Sequence, residues 1–169
     1  MKTKTFKTFL EQCENDEIEI DDFLQKISKI EGVEDQILIE LEHYFEKRNW
    51  STLQLLVLAA GEKLSSKYVE ILCEILLEGS EHMNNEDIVV ILDELEDEKA
   101  IPALSKAIQF EFEDDESHHL NLKCIDALAN IGGDMAIDVI KNAVDSSFDE
   151  VKEMAQRYLD YHGYIYLKK

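Results

Sequence analysis

Residues 88–108 read IVVILDELEDEKAIPALSKAI and residues 124–144 read CIDALANIGGDMAIDVIKNAV, so one pattern returns after 36 residues. Val89 pairs with Ile125, Leu92 with Leu128, Leu95 with Ile131, Ile101 with Ile137, Leu104 with Ile140 and Ile108 with Val144. Self-similarity at a period of about 20–50 residues marks stacked repeats. Each unit has one apolar stripe, too narrow to make a core alone, so neighbours must bury one another. The expectation is an all-α chain, a short α-solenoid of antiparallel helix pairs that acts by offering a surface.

Working outward, Val69, Leu72, Ile75 and Leu76 match Ile101, Leu104, Ala107 and Ile108 at a shift of 32. Apolar residues recur at helical spacing almost throughout, and strand alternation is nearly absent. The spacing predicts about ten short helices. Asp21 or Asp22 is expected to cap the second, Gly61 to end the fourth, and Asp134 to cap the ninth. Pro102 fits the first turn of the seventh, where N–H groups have no partner in any case. The organisation expected is a single domain over 1–169. Residues 1–50 form a diverged N-terminal cap, 52–160 the repeat units and 161–169 a C-terminal tail.

Composition narrows the function. The chain has 169 residues, 38 acids, 17 bases and a formal charge of −21, and only Arg48 and Arg157 are arginines. DNA binding draws on Lys and Arg to displace counterions from phosphate. This chain has the wrong sign, so no nucleic-acid partner is expected. It would be steered toward a basic protein, unless the acidity only serves solubility. No apolar run of about 18 residues is present, and the opening MKTKTFKTFLEQCEN lacks the apolar core of a secretory signal. No membrane contact and a cytoplasmic location are therefore expected. Cys13, Cys73 and Cys124 form no CxxC pair. The last two sit on apolar stripes and read as buried thiols in a reducing compartment.

The segment Ala100-Ile101-Pro102-Ala103-Leu104 resembles the opening of the first helix in HEAT-family repeats, and Leu128-Ala129-Asn130-Ile131-Gly132-Gly133-Asp134 resembles the turn between their units. Over residues 86–160 the chain is similar to short bacterial HEAT-like repeats, also seen in phycobilisome lyases. The second copy, Ala136-Ile137-Asp138-Val139-Ile140, lacks the Pro, and the first inter-unit turn lacks the Gly. The resemblance implies an α-solenoid and says little about activity, because one fold hosts many functions. Alkylpurine DNA glycosylases of this kind present a basic groove, which this sequence lacks.

No catalytic or phosphate-binding motif is present. His118-His119 after Asp114, Asp115 and Glu116 could suggest a metal, but adjacent helical residues point about 100° apart. No metal, cofactor or catalytic residue is expected, and the chain reads as a non-enzyme. Acidic runs are the remaining signal. One spans Glu11 to Asp22. A second holds Asp93, Glu94, Glu96, Asp97 and Glu98. A third holds Glu111, Glu113, Asp114, Asp115 and Glu116, with Phe110 and Phe112 interleaved. The second and third lie at opposite ends of the seventh helix, hence on opposite edges. Each is either a solvated loop or a dock for Lys and Arg, with Phe112 as an apolar anchor. Tyr158 and Tyr161 are expected in the last helix. Tyr161 and Tyr164 either cap the core or extend an interface. Trp50, at a helix junction, is expected in the core.

The candidate partner-binding set is therefore Glu94, Asp97, Glu98, Glu111, Phe112, Glu113, Asp114, Asp115, Glu116, Tyr161 and Tyr164. The function expected is a non-catalytic protein-binding module. Its most concrete form is a bacterial immunity protein that blocks the active site of a basic toxin, such as a nuclease. The alternatives are an adaptor binding a peptide or helix on a concave face, and a HEAT-like enzyme acting on nucleic acid or a tetrapyrrole.

Overall fold

The helical periodicity of the sequence is realised as ten α-helices among the described residues: α1 (Lys2–Glu14), α2 (Ile20–Ser28), α3 (Glu34–Glu46), α4 (Trp50–Glu62), α5 (Val69–Glu78), α6 (Asn85–Leu95), α7 (Ile101–Ala107), α8 (His119–Ile131), α9 (Gly133–Ala143) and α10 (Asp149–Tyr161). The structure is a computed structural model that describes residues 2–112 and 117–162, with side chains from Phe6 onward. No strand occurs among the described residues.

The helices pack in two rows. In one, α2, α4, α6, α8 and α10 each pack on the next; in the other, α3, α5, α7 and α9 do the same. The ion pair of Lys7 with Glu40 ties α1 to α3. Successive helices pack across the rows, as α1 on α2 and α3 on α4. Between the rows runs one apolar core, from Phe6 and Phe23 through Leu72 and Leu104 to Leu159.

The 32-residue shift is visible in atomic detail. A 3-10 turn, Ser66–Tyr68, leads into α5, and a second, Glu98–Ala100, leads into α7. The Ser65 side chain accepts a hydrogen bond from the Lys67 N–H at the first, and the Asp97 side chain accepts one from the Lys99 N–H at the second. Lys67 then pairs with Asp35 one unit back, and Lys99 with Glu70. Met135 stands at the matching place in the next unit and is 58% exposed.

Three helix boundaries differ from the sequence expectation. Helix α2 opens at Ile20, so Asp21 and Asp22 lie in its first turn, where carboxylates favour the positive helix end. Helix α4 runs through Gly61 to Glu62; a Cβ there would lie 3.5 Å from Ile91 Cγ1, so the glycine serves the close approach of α6. Helix α9 starts at Gly133, with Gly132 before it and Asp134 inside the first turn. Pro102 occupies the first turn of α7 as expected. No helix among the described residues is long and apolar enough to cross a membrane.

Candidate functional site

The two rows create two edges. On one edge lie the C-terminal ends of α6, α8 and α10. Asn130 Nδ2 donates to Asp93 Oδ1 at 2.8 Å, and the Tyr158 hydroxyl donates to the Ala129 carbonyl at 3.4 Å. Glu94 and Glu98 are exposed here, and Tyr161, at the end of α10, is 86% exposed. Asp97 is half-buried and committed to capping its 3-10 turn. Asp126 on α8 belongs to this surface; partial burial first, then Asp93, raises its carboxyl above the ordinary value, against the pull of Lys123.

Glu111 and Phe112 lie beyond the other end of α7, on the opposite edge. Glu111 is exposed, whereas Phe112 is half-buried and meets the Phe110 ring edge-on at 6.0 Å. Glu113, Asp114, Asp115, Glu116 and Tyr164 lie outside the described residues. This edge is stitched together along the chain of turns. Arg48, after α3, pairs with Glu78 at the end of α5. Phe110 covers Gly79, whose Cβ would lie 3.4 Å from the ring. Asn121, buried in α8, donates to the carbonyls of Ile108 at 2.7 Å and Phe110 at 2.9 Å, which holds the segment after α7 in place. His118 stacks on Phe148 with 4.1 Å between ring centroids.

At the N-terminal end of this edge, the turns open into a cleft of about 1010 Å³. The end of α1, the α1–α2 turn, the α3–α4 turn and the start of α4 form its walls, and His82 closes one side. Ile18, Trp50 and Leu55 are half-buried in its floor, and Ile20 is 43% exposed. Trp50 has one side on the core, with its ring 6.4 Å from Phe45, and the other on the cleft. The expectation that it belongs wholly to the core is corrected to this extent.

The cleft's cations are engaged. The Arg48 guanidinium lies 5.7 Å from the Trp50 ring centre and binds Glu78, and Lys47 sits 5.9 Å from the Tyr44 ring. The bond from Arg48 holds the Glu78 carboxyl below its ordinary value. Among the acids, Glu14 accepts from the Thr52 hydroxyl. Asp16 and Glu19 form no ion pair among the described residues. Behind them lies the buried Cys13 thiol, whose pKa is raised by burial and then by Asp16, Glu14 and Glu19.

Asp16 and Arg48 share an unusual backbone. Both take left-handed conformations, with φ of 56° and 53°. Each follows a helix C-terminus closed by paired bonds: Asp16 N–H to the Cys13 carbonyl and Glu17 N–H to Gln12, then Arg48 N–H to Phe45 and Asn49 N–H to Tyr44. Glycine usually fills such positions. No glycine marks these stops in the sequence, and nothing there brings either residue to a cleft rim.

No family model and no curated protein matches this chain. The geometry therefore carries the functional reading. Among the described residues, no group of three or more His, Cys, Asp or Glu side chains is placed to hold a metal ion. The cleft combines an apolar floor with two carboxylates, Asp16 and Glu19, that form no ion pair among the described residues.

Proposed function

We propose that this chain is a short α-solenoid of HEAT-like type and works as a non-catalytic protein-binding module for a basic protein. In its most specific form it is an immunity protein, occupying the cationic cleft of a toxin such as a nuclease, with its carboxylates standing in for phosphates. The observation that carries the reading is where the charge sits. Among the described residues, Glu40 is the only fully buried carboxylate, so nearly all of that acidity faces outward. Surface charge of one sign speeds encounter with an oppositely charged partner and discourages others. The half-exposed apolar floor of the cleft also favours a second reading, an adaptor that holds a peptide segment.

The test is capture of partners from the native lysate at low and moderate salt, followed by association kinetics with the purified partner. One stoichiometric basic protein, whose association slows steeply with salt, is the expected result. Neutral or acidic partners, or kinetics indifferent to salt, would sink the proposal. Replacing Glu113, Asp114 and Asp115 with Lys is expected to slow association if the segment after α7 takes part in steering.

A further inference from the structure

The cleft can be assigned an occupant. We propose that it receives an extended segment of the basic partner, with one aliphatic side chain seated against Ile18, Ile20, Trp50 and Leu55 and flanking Lys or Arg residues meeting Asp16 and Glu19. The inference rests on the reading of this chain as a binder of basic proteins.

Two observations lead to it. First, the floor is apolar but incompletely covered: Ile20 is 43% exposed although it opens a helix, and Trp50 is half-buried beside it. A concave apolar floor with a few polar groups at its rim is the common form of a recognition pocket. Second, the charge at the rim is net negative. Arg48 is neutralised by Glu78; Lys47, over the Tyr44 ring, keeps its charge, and against it stand Glu14, Asp16 and Glu19, which form no ion pair among the described residues. An acidic or neutral segment would leave that charge unanswered; a cationic one would complete it.

Trp50 is the only tryptophan, so its emission reports directly on the floor. The full-length chain is titrated to millimolar concentration with a synthetic peptide, acetyl-Lys-Arg-Leu-Lys-Arg-amide. Binding is followed by Trp50 emission and by calorimetry. Two control peptides replace Leu with Gly, or every base with Glu. The expected result is a saturable change in emission with the first peptide. Affinity should fall about tenfold when Leu becomes Gly, and binding should vanish with the acidic peptide.

The double variant Asp16→Gly with Glu19→Gln should weaken binding several-fold while its melting temperature stays level or rises. Asp16→Asn with Glu19→Gln serves as the shape-preserving check. If calorimetry shows binding while Trp50 emission stays still and both variants bind normally, the cleft is the wrong site, and the reading as a basic-protein binder survives. If no peptide binds, the proposed occupant is wrong, and lysate capture decides the broader reading separately.

Discussion

Asn121 offers the sharpest test of how the edge is held. Its side chain is buried in α8, and its amide nitrogen faces three carbonyls: Ile108 at 2.7 Å, Phe110 at 2.9 Å and Ala107 at 3.3 Å. Two hydrogens serve three acceptors, so the longest contact shares a donor. These carbonyls lie at and just past the C-terminus of α7, where the helix has no donors left to offer. Asn121→Ala removes both donors and most of the side chain's volume. Each lost bond costs about 1 kcal/mol net, and up to about 3 kcal/mol where the carbonyl stays dry. Gln109 and Glu111 are exposed, so water can reach part of this segment, and the total should be about 2–4 kcal/mol. With a urea slope of about 2 kcal/mol per M, the midpoint should fall by about 1–2 M. Trp50 emission reports unfolding from the far end of the molecule, and far-UV circular dichroism reports the helices together. Coincident curves are needed for the free energy to have meaning, since repeat arrays can lose cooperativity. Asn121→Asp keeps the shape but turns donors into acceptors facing carbonyl oxygens, so it should cost at least as much. A loss below about 0.5 kcal/mol for Ala, or a milder effect for Asp than for Ala, would refute the capping role.

Four further outcomes follow from the packing. Gly32 and Gly79 both have left-handed φ, of 63° and 60°, but only Gly79 faces a ring, Phe110, at 3.4 Å from its would-be Cβ. Gly32→Ala should cost about 1 kcal/mol and Gly79→Ala more; equal losses in urea melts would show that Phe110 swings aside freely. The Tyr68 hydroxyl is buried with no hydrogen-bond partner among the described residues, so Tyr68→Phe should stabilise by up to about 1 kcal/mol, and a fall in melting temperature would contradict this. The folded state binds a proton at Asp126 more readily than the unfolded chain does, so its contribution is most favourable in acid and declines as pH rises through the raised value. Asp126→Asn should therefore stabilise at neutral pH and lose that advantage in acid, as read from urea midpoints. Burial raises the pKa of Cys124, and burial with Asp97, Glu70 and Glu74 pushes Cys73 up to about 11. A thiol-reactive dye at mildly alkaline pH should label the native chain slowly and all three cysteines rapidly in urea; fast native labelling of Cys124 would show that its site opens.

The core was legible because burial follows the 36-residue spacing. Leu92 and Leu128, Leu104 and Ile140, and Val89 and Ile125 are all buried. The exceptions have a physical cause. Ile101 and Ile108 are buried, but their counterparts Ile137 and Val144 are only half-buried, because among the described residues no helix follows α9 in its row to cover them. Helix ends were less legible. A side-chain cap is a local signal: Asn84 accepts from the Glu86 N–H before α6, and Ser65 accepts from the Lys67 N–H at the turn before α5. Gly61 misled because a glycine reads the same whether it stops a helix or admits a neighbour, and the neighbour, Ile91, lies 30 residues away.

The cleft shows why a binding surface is harder to read than a core. Core residues repeat, so each copy corroborates the next. The cleft draws on turns that do not repeat: Asp16 and Glu19 from one, Lys47 and Arg48 from another, with Trp50 and Leu55 from α4, which follows the second. Nothing in the sequence brings Glu14 to Thr52, 38 positions on, or Arg48 to Glu78, 30 positions on; the packing of the rows does. The acidic runs were conspicuous in sequence, yet the structure gives them unlike roles. Asp97 caps a turn, Asp93 accepts from Asn130, and Asp16 and Glu19 form no ion pair among the described residues. Charge count alone cannot make that separation, because a capping carboxylate and a docking carboxylate look the same in one dimension. What separates them is whether the fold already satisfies the charge. By that criterion Asp16 and Glu19, beside a half-covered apolar floor, are the carboxylates on which the proposed docking of a basic segment rests, and in that proposal the acidic runs beyond α6 act at longer range, by steering.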